Sequence, residues 1–120
     1  MRITGSDNII EGFRLEGDGG IEITGGYHNL FTIARIVLDT DTKPAIMINP
    51  GPGKWTNLNR FSDIYIKGGA YAFEINGDPD KCGFSASGLI LNAVGAPFGP
   101  NLTRAISSNP DKYSINELAQ

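Results

Sequence analysis

Two glutamates, two arginines, a tyrosine and a tryptophan are the residues of this chain whose types and spacing could do chemistry. Glu22 and Glu74 each sit between two apolar residues, in Ile21-Glu22-Ile23 and Phe73-Glu74-Ile75. With one strand carrying Met47 between them, they would lie roughly 9–10 Å apart on adjacent strands about 4.8 Å apart. Inverting glycosidases hold their acid and base roughly 6.5–9.5 Å apart, so this pair is the weak catalytic candidate. Against that reading, polar residues between apolar ones are ordinary solvent-facing positions, with Arg2 available to pair with Glu22. Nothing near either glutamate would raise one pKa above the other, as acid–base work requires. The expectation leans away from catalysis by this chain alone.

Arg14, Arg35, Tyr65 and Gly88 recur at a second outward position. Stacked arginines repel unless an anion or neighbouring acids such as Glu11, Glu16, Asp39 and Asp63 bridge them. A guanidinium fork matches a carboxylate bidentately, and an aromatic face suits the C–H surface of a sugar. Arg35, Tyr65 and Trp55, the last on the loop Asn49–Leu58 stiffened by Pro50 and Pro52, are therefore the candidate glycan-binding residues. The plain alternative is a solvated face, with Trp55 packed back on the body or in a subunit seam.

Other chemistry falls away. One cysteine and one histidine cannot furnish an ordinary zinc site or an intrachain disulfide. Asp39-Thr40-Asp41 and Asp78-Pro79-Asp80 read as acidic turns rather than calcium loops. Gly17-Asp18-Gly19-Gly20 precedes a strand pattern, not the helix N-terminus that phosphate binding needs. His28 reads as a corner residue beside Tyr27, and Cys82 as a buried one. No metal and no cofactor is expected. Ten basic against thirteen acidic residues, a net charge of −3, argue against nucleic-acid binding. No run approaches membrane-spanning length, and the start lacks a signal-peptide stretch.

The elements that must position these residues come from a repeat. The phrase Ile21-Glu22-Ile23-Thr24-Gly25 echoes Arg2–Gly5 and returns loosely at Ile46–Asn49, Phe73–Gly77 and Ile106–Asn109. In step with it, Asn8–Leu15 aligns with Asn29–Ile36, Asn59–Ile66 and Cys82–Leu89. Apolar residues alternate within each phrase, as on a strand with one buried face. Short strands recurring at this stride stack as rungs of a solenoid. Ile10, Phe31, Phe61 and Phe84 would form one internal column, and Ile3, Ile23, Ile48 and Ile75 another. Asn8, Asn29 and Asn59 would form an asparagine ladder closed by Cys82. Helical periodicity is lacking outside Lys112–Gln120.

Asn8-x-Ile10-x-x-Gly12-Phe13-x-Leu15 followed by Gly20-Ile21-x-Ile23 resembles a rung of the right-handed parallel β-helix of the pectate-lyase-like superfamily. The resemblance covers residues 1 to about 92 and implies an all-β solenoid of about four rungs. Residues 93–120 would hold a last insertion, Ala93–Asn101, and a C-terminal cap or tail. The repeat is under way at Arg2, which points either to a fragment or to another subunit covering that end.

The superfamily includes polysaccharide lyases, glycoside hydrolases, epimerases and phage tailspikes, and none of its catalytic motifs transfers here. The resemblance implies a structural, host-recognition module of a phage tailspike or tail fibre. Such a module would be homotrimeric, located in the virion or outside the cell, and bind a bacterial surface polysaccharide. The alternative is a fragment of a β-helical lyase or glycosidase.

Overall fold

A computed structural model describes every residue except Glu117 and Gln120. Alternating apolar residues drive the chain back and forth between two parallel sheets. One sheet contains β1 (Arg2–Ile3), β3 (Ile21–Ile23), β5 (Pro44–Ile48), β7 (Tyr71–Ile75) and β10 (Ala96–Phe98), in that spatial order. The other runs β2 (Ile9–Gly17), β4 (Leu30–Leu38), β6 (Asn59–Lys67), β8 (Phe84–Ser87) and β11 (Tyr113–Ile115), with β9 (Leu89–Asn92) pairing both β6 and β12 (Leu118–Ala119). Each circuit of the chain thus lays one strand against its predecessor in each sheet. The inward columns of the middle strands are dry: Ile23, Phe31, Ile36, Ile46, Ile48 and Phe73 are wholly buried.

The long strands do not run straight. Gly12, Ile33, Asp63 and Gly88 occupy the same position in successive circuits, and each adopts a left-handed backbone with φ of 67°, 56°, 55° and 64°. A left-handed residue bends the chain without breaking the ladder on either side, as a bulge does. Asp7, His28 and Leu58 do the same at an earlier corner. There the asparagines follow at once. Asn8 donates through both its backbone N–H and its side chain to Asn29 Oδ1 at 3.0 Å, and Asn29 repeats both bonds onto Asn59 Oδ1 at 3.0 Å. The remaining Asn29 amide hydrogen reaches Gly5 O, so this buried side chain is fully bonded.

Several details of the repeat differ from the sequence reading. The columns Ile3/Ile23/Ile48/Ile75 and Ile10/Phe31/Phe61 are in register, but Phe61 stands beside Ala86, not Phe84. Phe84 stands beside Asn59, and Leu91 rather than Leu89 follows Ile66. A slip of two residues keeps every side chain on its own face, so alternation alone could not detect it. Cys82 therefore does not close the asparagine ladder. The ladder ends at Asn59, which donates to Gly26 O and Thr56 O. Phe84 instead stacks on Phe73, with ring centres 5.0 Å apart, and meets Phe61 and Tyr113 edge-on.

The C-terminal region also departs from expectation. Residues read as the loop Ala93–Asn101 contain β10, and Ile106–Ser108, read as a strand, lie in the helix α1 (Pro100–Ser108). Pro100 at the first helical turn suits this start, since its missing N–H costs nothing there. The tail from Tyr113 to Ile115 is strand, not helix, pairing with Phe84, Ser85 and Ala86.

Candidate functional site

Glu22 and Glu74 do share a column, through Met47, as their spacing suggested. Their surroundings differ. Glu22 is half-exposed and lies 3.4 Å from Arg2. Glu74 is only 6% exposed, because the chain beyond β10 folds over it. Its Oε1 accepts from Leu102 N at 2.8 Å and Ile75 N at 3.0 Å, and Oε2 accepts from Asn101 N at 3.3 Å. The first residue of the cap, Gly99, has no side chain to satisfy the helix N-terminus, so a carboxylate from the neighbouring strand does so. A Cβ on Gly99 would come within 2.2 Å of the Glu74 carboxyl carbon, which is why only glycine fits. The glutamate read as solvent-facing is a buried structural cap.

Arg35 and Tyr65 are strand neighbours, as their spacing required, and Arg14 lies on the other side of Arg35. Ile90, not Gly88, continues this column. Arg14 pairs with Glu16 on its own strand. The Arg35 guanidinium lies over the Tyr65 ring, 4.3 Å from its centre, and the Tyr65 hydroxyl accepts from Asn92 Nδ2 at 2.9 Å. One face of the tyrosine is therefore occupied by the arginine that was expected to stand beside it as a separate ligand contact. Trp55 is 52% exposed, on the segment before β6, with Lys81 Nζ 5.2 Å from its ring centre. The left-handed turns at Leu58 and Asp63 intervene between Trp55 and Tyr65. The two aromatic residues keep separate partners.

A concavity lies elsewhere, on the outward face of the strand segments before the second corner. Leu30, Arg60, Ser85 and Ser114 stand side by side on four parallel strands. Two residues further on, Thr32, Ser62 and Ser87 form a parallel row, in which Ser62 Oγ and Thr32 Oγ1 are bonded at 2.9 Å. Small hydroxyl side chains leave a trough, which Asn116 flanks and which encloses about 150 Å³. At one end it opens into a larger hollow of about 320 Å³ where His28 and Leu58 from the asparagine corner face Asp111 and Lys112 from the turn after α1. Phe84, itself buried, backs the hollow, and Arg60, Ser85 and Ser114 line both spaces.

This trough escaped the sequence reading for a physical reason. Ser85 and Ser87 were displaced by the two-residue slip, and Ser114 lay in a segment read as tail. The signal present in the sequence was the hydroxyl row Thr32/Ser62/Ser87, visible only in the correct register. His28 is at the expected corner, edge-on to Tyr27 with ring centres 5.4 Å apart and 3.6 Å from Asp7. Among the described residues no group of three His, Cys, Asp or Glu side chains converges as a metal site would require, and no helix is long and apolar enough to cross a membrane. No family model, curated protein or solved structure matches the chain.

Proposed function

We propose that this chain is a non-catalytic glycan-recognition module. Its alternating circuits would be the rungs of a right-handed parallel β-helix of the kind found in phage tailspikes and tail fibres, and its ligand a bacterial surface polysaccharide. The single observation that carries the binding reading is the trough. Four parallel strands at roughly 4.8 Å spacing present hydroxyl, amide and guanidinium groups in two straight rows. A sugar chain needs many polar contacts in a fixed order, and strands in register hold these side chains with little left to order on binding. The capped state of Glu74 weighs against the enzyme alternative, since that carboxylate is buried and accepts from three backbone N–H groups.

Calorimetric titration of bacterial polysaccharides into the intact chain tests this reading. Ser85→Trp fills the trough without touching the core, so it should abolish binding while the melting temperature holds. Arg35→Ala and Trp55→Ala should leave affinity within twofold. Loss of binding in those two variants with Ser85→Trp unaffected would move the site to the Arg35–Tyr65 face.

The homotrimer belongs to the same proposal. Ile9, Ile33 and Ile90, at 71%, 61% and 54% exposed, stand on the outer faces, and a second and third copy would shield such side chains from water. Light scattering at micromolar concentration should give three times 12.9 kDa; a monomer mass would remove this part alone.

A further inference from the structure

We infer that the hollow at the end of the trough is a selectivity pocket for a singly charged, carboxylated sugar that also bears a methyl-containing substituent such as an acetyl group. The inference rests on the glycan-binding reading and specifies its ligand. Three observations carry it.

The first is charge. Arg60 and Lys112 both line the hollow, and among the described residues neither has a carboxylate within 4.0 Å. Asp111 is the one acid among the described residues of the lining, and His28 already has Asp7 beside it. Two cations against one acid leave one positive charge, which a carboxylate balances and a doubly charged phosphate would exceed. The Arg60 fork supplies the bidentate geometry a carboxylate accepts, and Lys112 a second point charge from the opposite wall.

The second is the apolar wall. Leu58 is 60% exposed although apolar, and it holds a left-handed backbone with φ 64°. A residue with a branched side chain adopts that conformation at a cost. Here the Leu58 N–H donates to Gly83 O at 3.0 Å, which holds the backbone that puts Leu58 on the lining of the hollow. An acetyl methyl laid against Leu58 would shield that exposed side chain from water.

The third is placement. Arg60 and Ser85 line both the hollow and the trough, so a sugar seated in the hollow continues directly into the hydroxyl rows. A chain whose acidic residue docks at Arg60 thereby sets the register of its neutral neighbours.

The test uses O-acetylated mannuronate oligosaccharides, the same oligosaccharides after deacetylation, and a carboxyl-reduced preparation, each titrated into the intact chain. Carboxyl reduction should weaken binding at least tenfold and deacetylation about threefold. Lys112→Ala should cost about fivefold for the acidic probes and nothing for the reduced one, and should flatten the salt dependence. Leu58→Ser should remove the difference between acetylated and deacetylated probes. Lys112 and Leu58 are exposed, and an unchanged melting temperature checks that both variants fold. Equal affinity for acidic and carboxyl-reduced probes, with binding still lost in Ser85→Trp, would overturn the pocket and leave the trough standing. Absence of binding by every probe and every bacterial polysaccharide would overturn both.

Discussion

Ile33 is the residue at which local preference and the fold disagree most. A β-branched side chain at φ 56° is a steric outlier, and it stands where the neighbouring circuits carry Gly12, Asp63 and Gly88. Glycine in that position relieves the clash, so Ile33→Gly should raise stability by about 1 kcal/mol in urea unfolding despite glycine's greater freedom in the unfolded chain. A loss of stability would mean that the exposed isoleucine is covered by another surface in solution. Cys82 makes a second prediction. Burial pushes its thiol up to about 11, opposed by a hydrogen bond with Thr56 and reinforced by the negative charge of Asp78. Between pH 9 and 11 the unfolded chain has released this proton and the folded one has kept it, so stability falls as pH rises across that window. Cys82→Ala should flatten the fall in melting temperature over the same range, while below pH 8 its pH dependence should parallel that of the parent. Burial also raises the Tyr113 hydroxyl, which leaves a smaller slope at the alkaline end in the variant.

At the scale of elements, α1 is a short helix whose start depends on another strand. Leu102 and Ala105 bury one face, but the N-terminal N–H groups are satisfied by Glu74. Glu74→Ala should therefore cost about 2–3 kcal/mol, the loss of a charged acceptor to buried donors, and should expose the amides of Asn101 and Leu102 to rapid exchange. Glu74→Gln keeps an acceptor and should cost less than half as much. An exchange pattern unchanged by Glu74→Ala would show that packing alone holds the helix. The asparagine corner works by a different rule. Asn29 accepts from Asn8 and donates to Asn59, linking three levels, so the element is the stack rather than any one turn.

The whole molecule gains stability unevenly along the stack. Ile3, Ile10, Phe13 and Leu15 are only half-buried, whereas their counterparts Ile23, Phe31 and Ile36 in the next circuit are fully covered and Ala34 is nearly so. β1 and β2 are edge strands with a neighbour on one side only. Hydrogen exchange should accordingly be fastest in β1 and β2 and slowest in β4 and β6, by at least a hundredfold. Uniform protection across the stack would indicate that something covers the first circuit in solution.

What the sequence by itself determined was the kind of structure: strands with one apolar face, glycine- and asparagine-marked corners, and a circuit that repeats. The alternation of Ile21–Ile23 and Phe73–Ile75 encodes burial locally, and the recurrence of Asn8, Asn29 and Asn59 encodes the corner. The neighbouring of Arg35 and Tyr65 followed from the same arithmetic. Tertiary structure decided the rest. Period-two patterns are unchanged by a slip of two, so only packing could set Phe84 beside Asn59 and Ser85 beside Arg60. The fate of Glu74 depended on a helix built from Pro100 onward, and nothing in its nine residues announces the strand over which they close. The trough and its end pocket arise from four strands and a turn separated by as much as the distance from His28 to Ser114 along the chain, and no local signal in any one of those segments records the others.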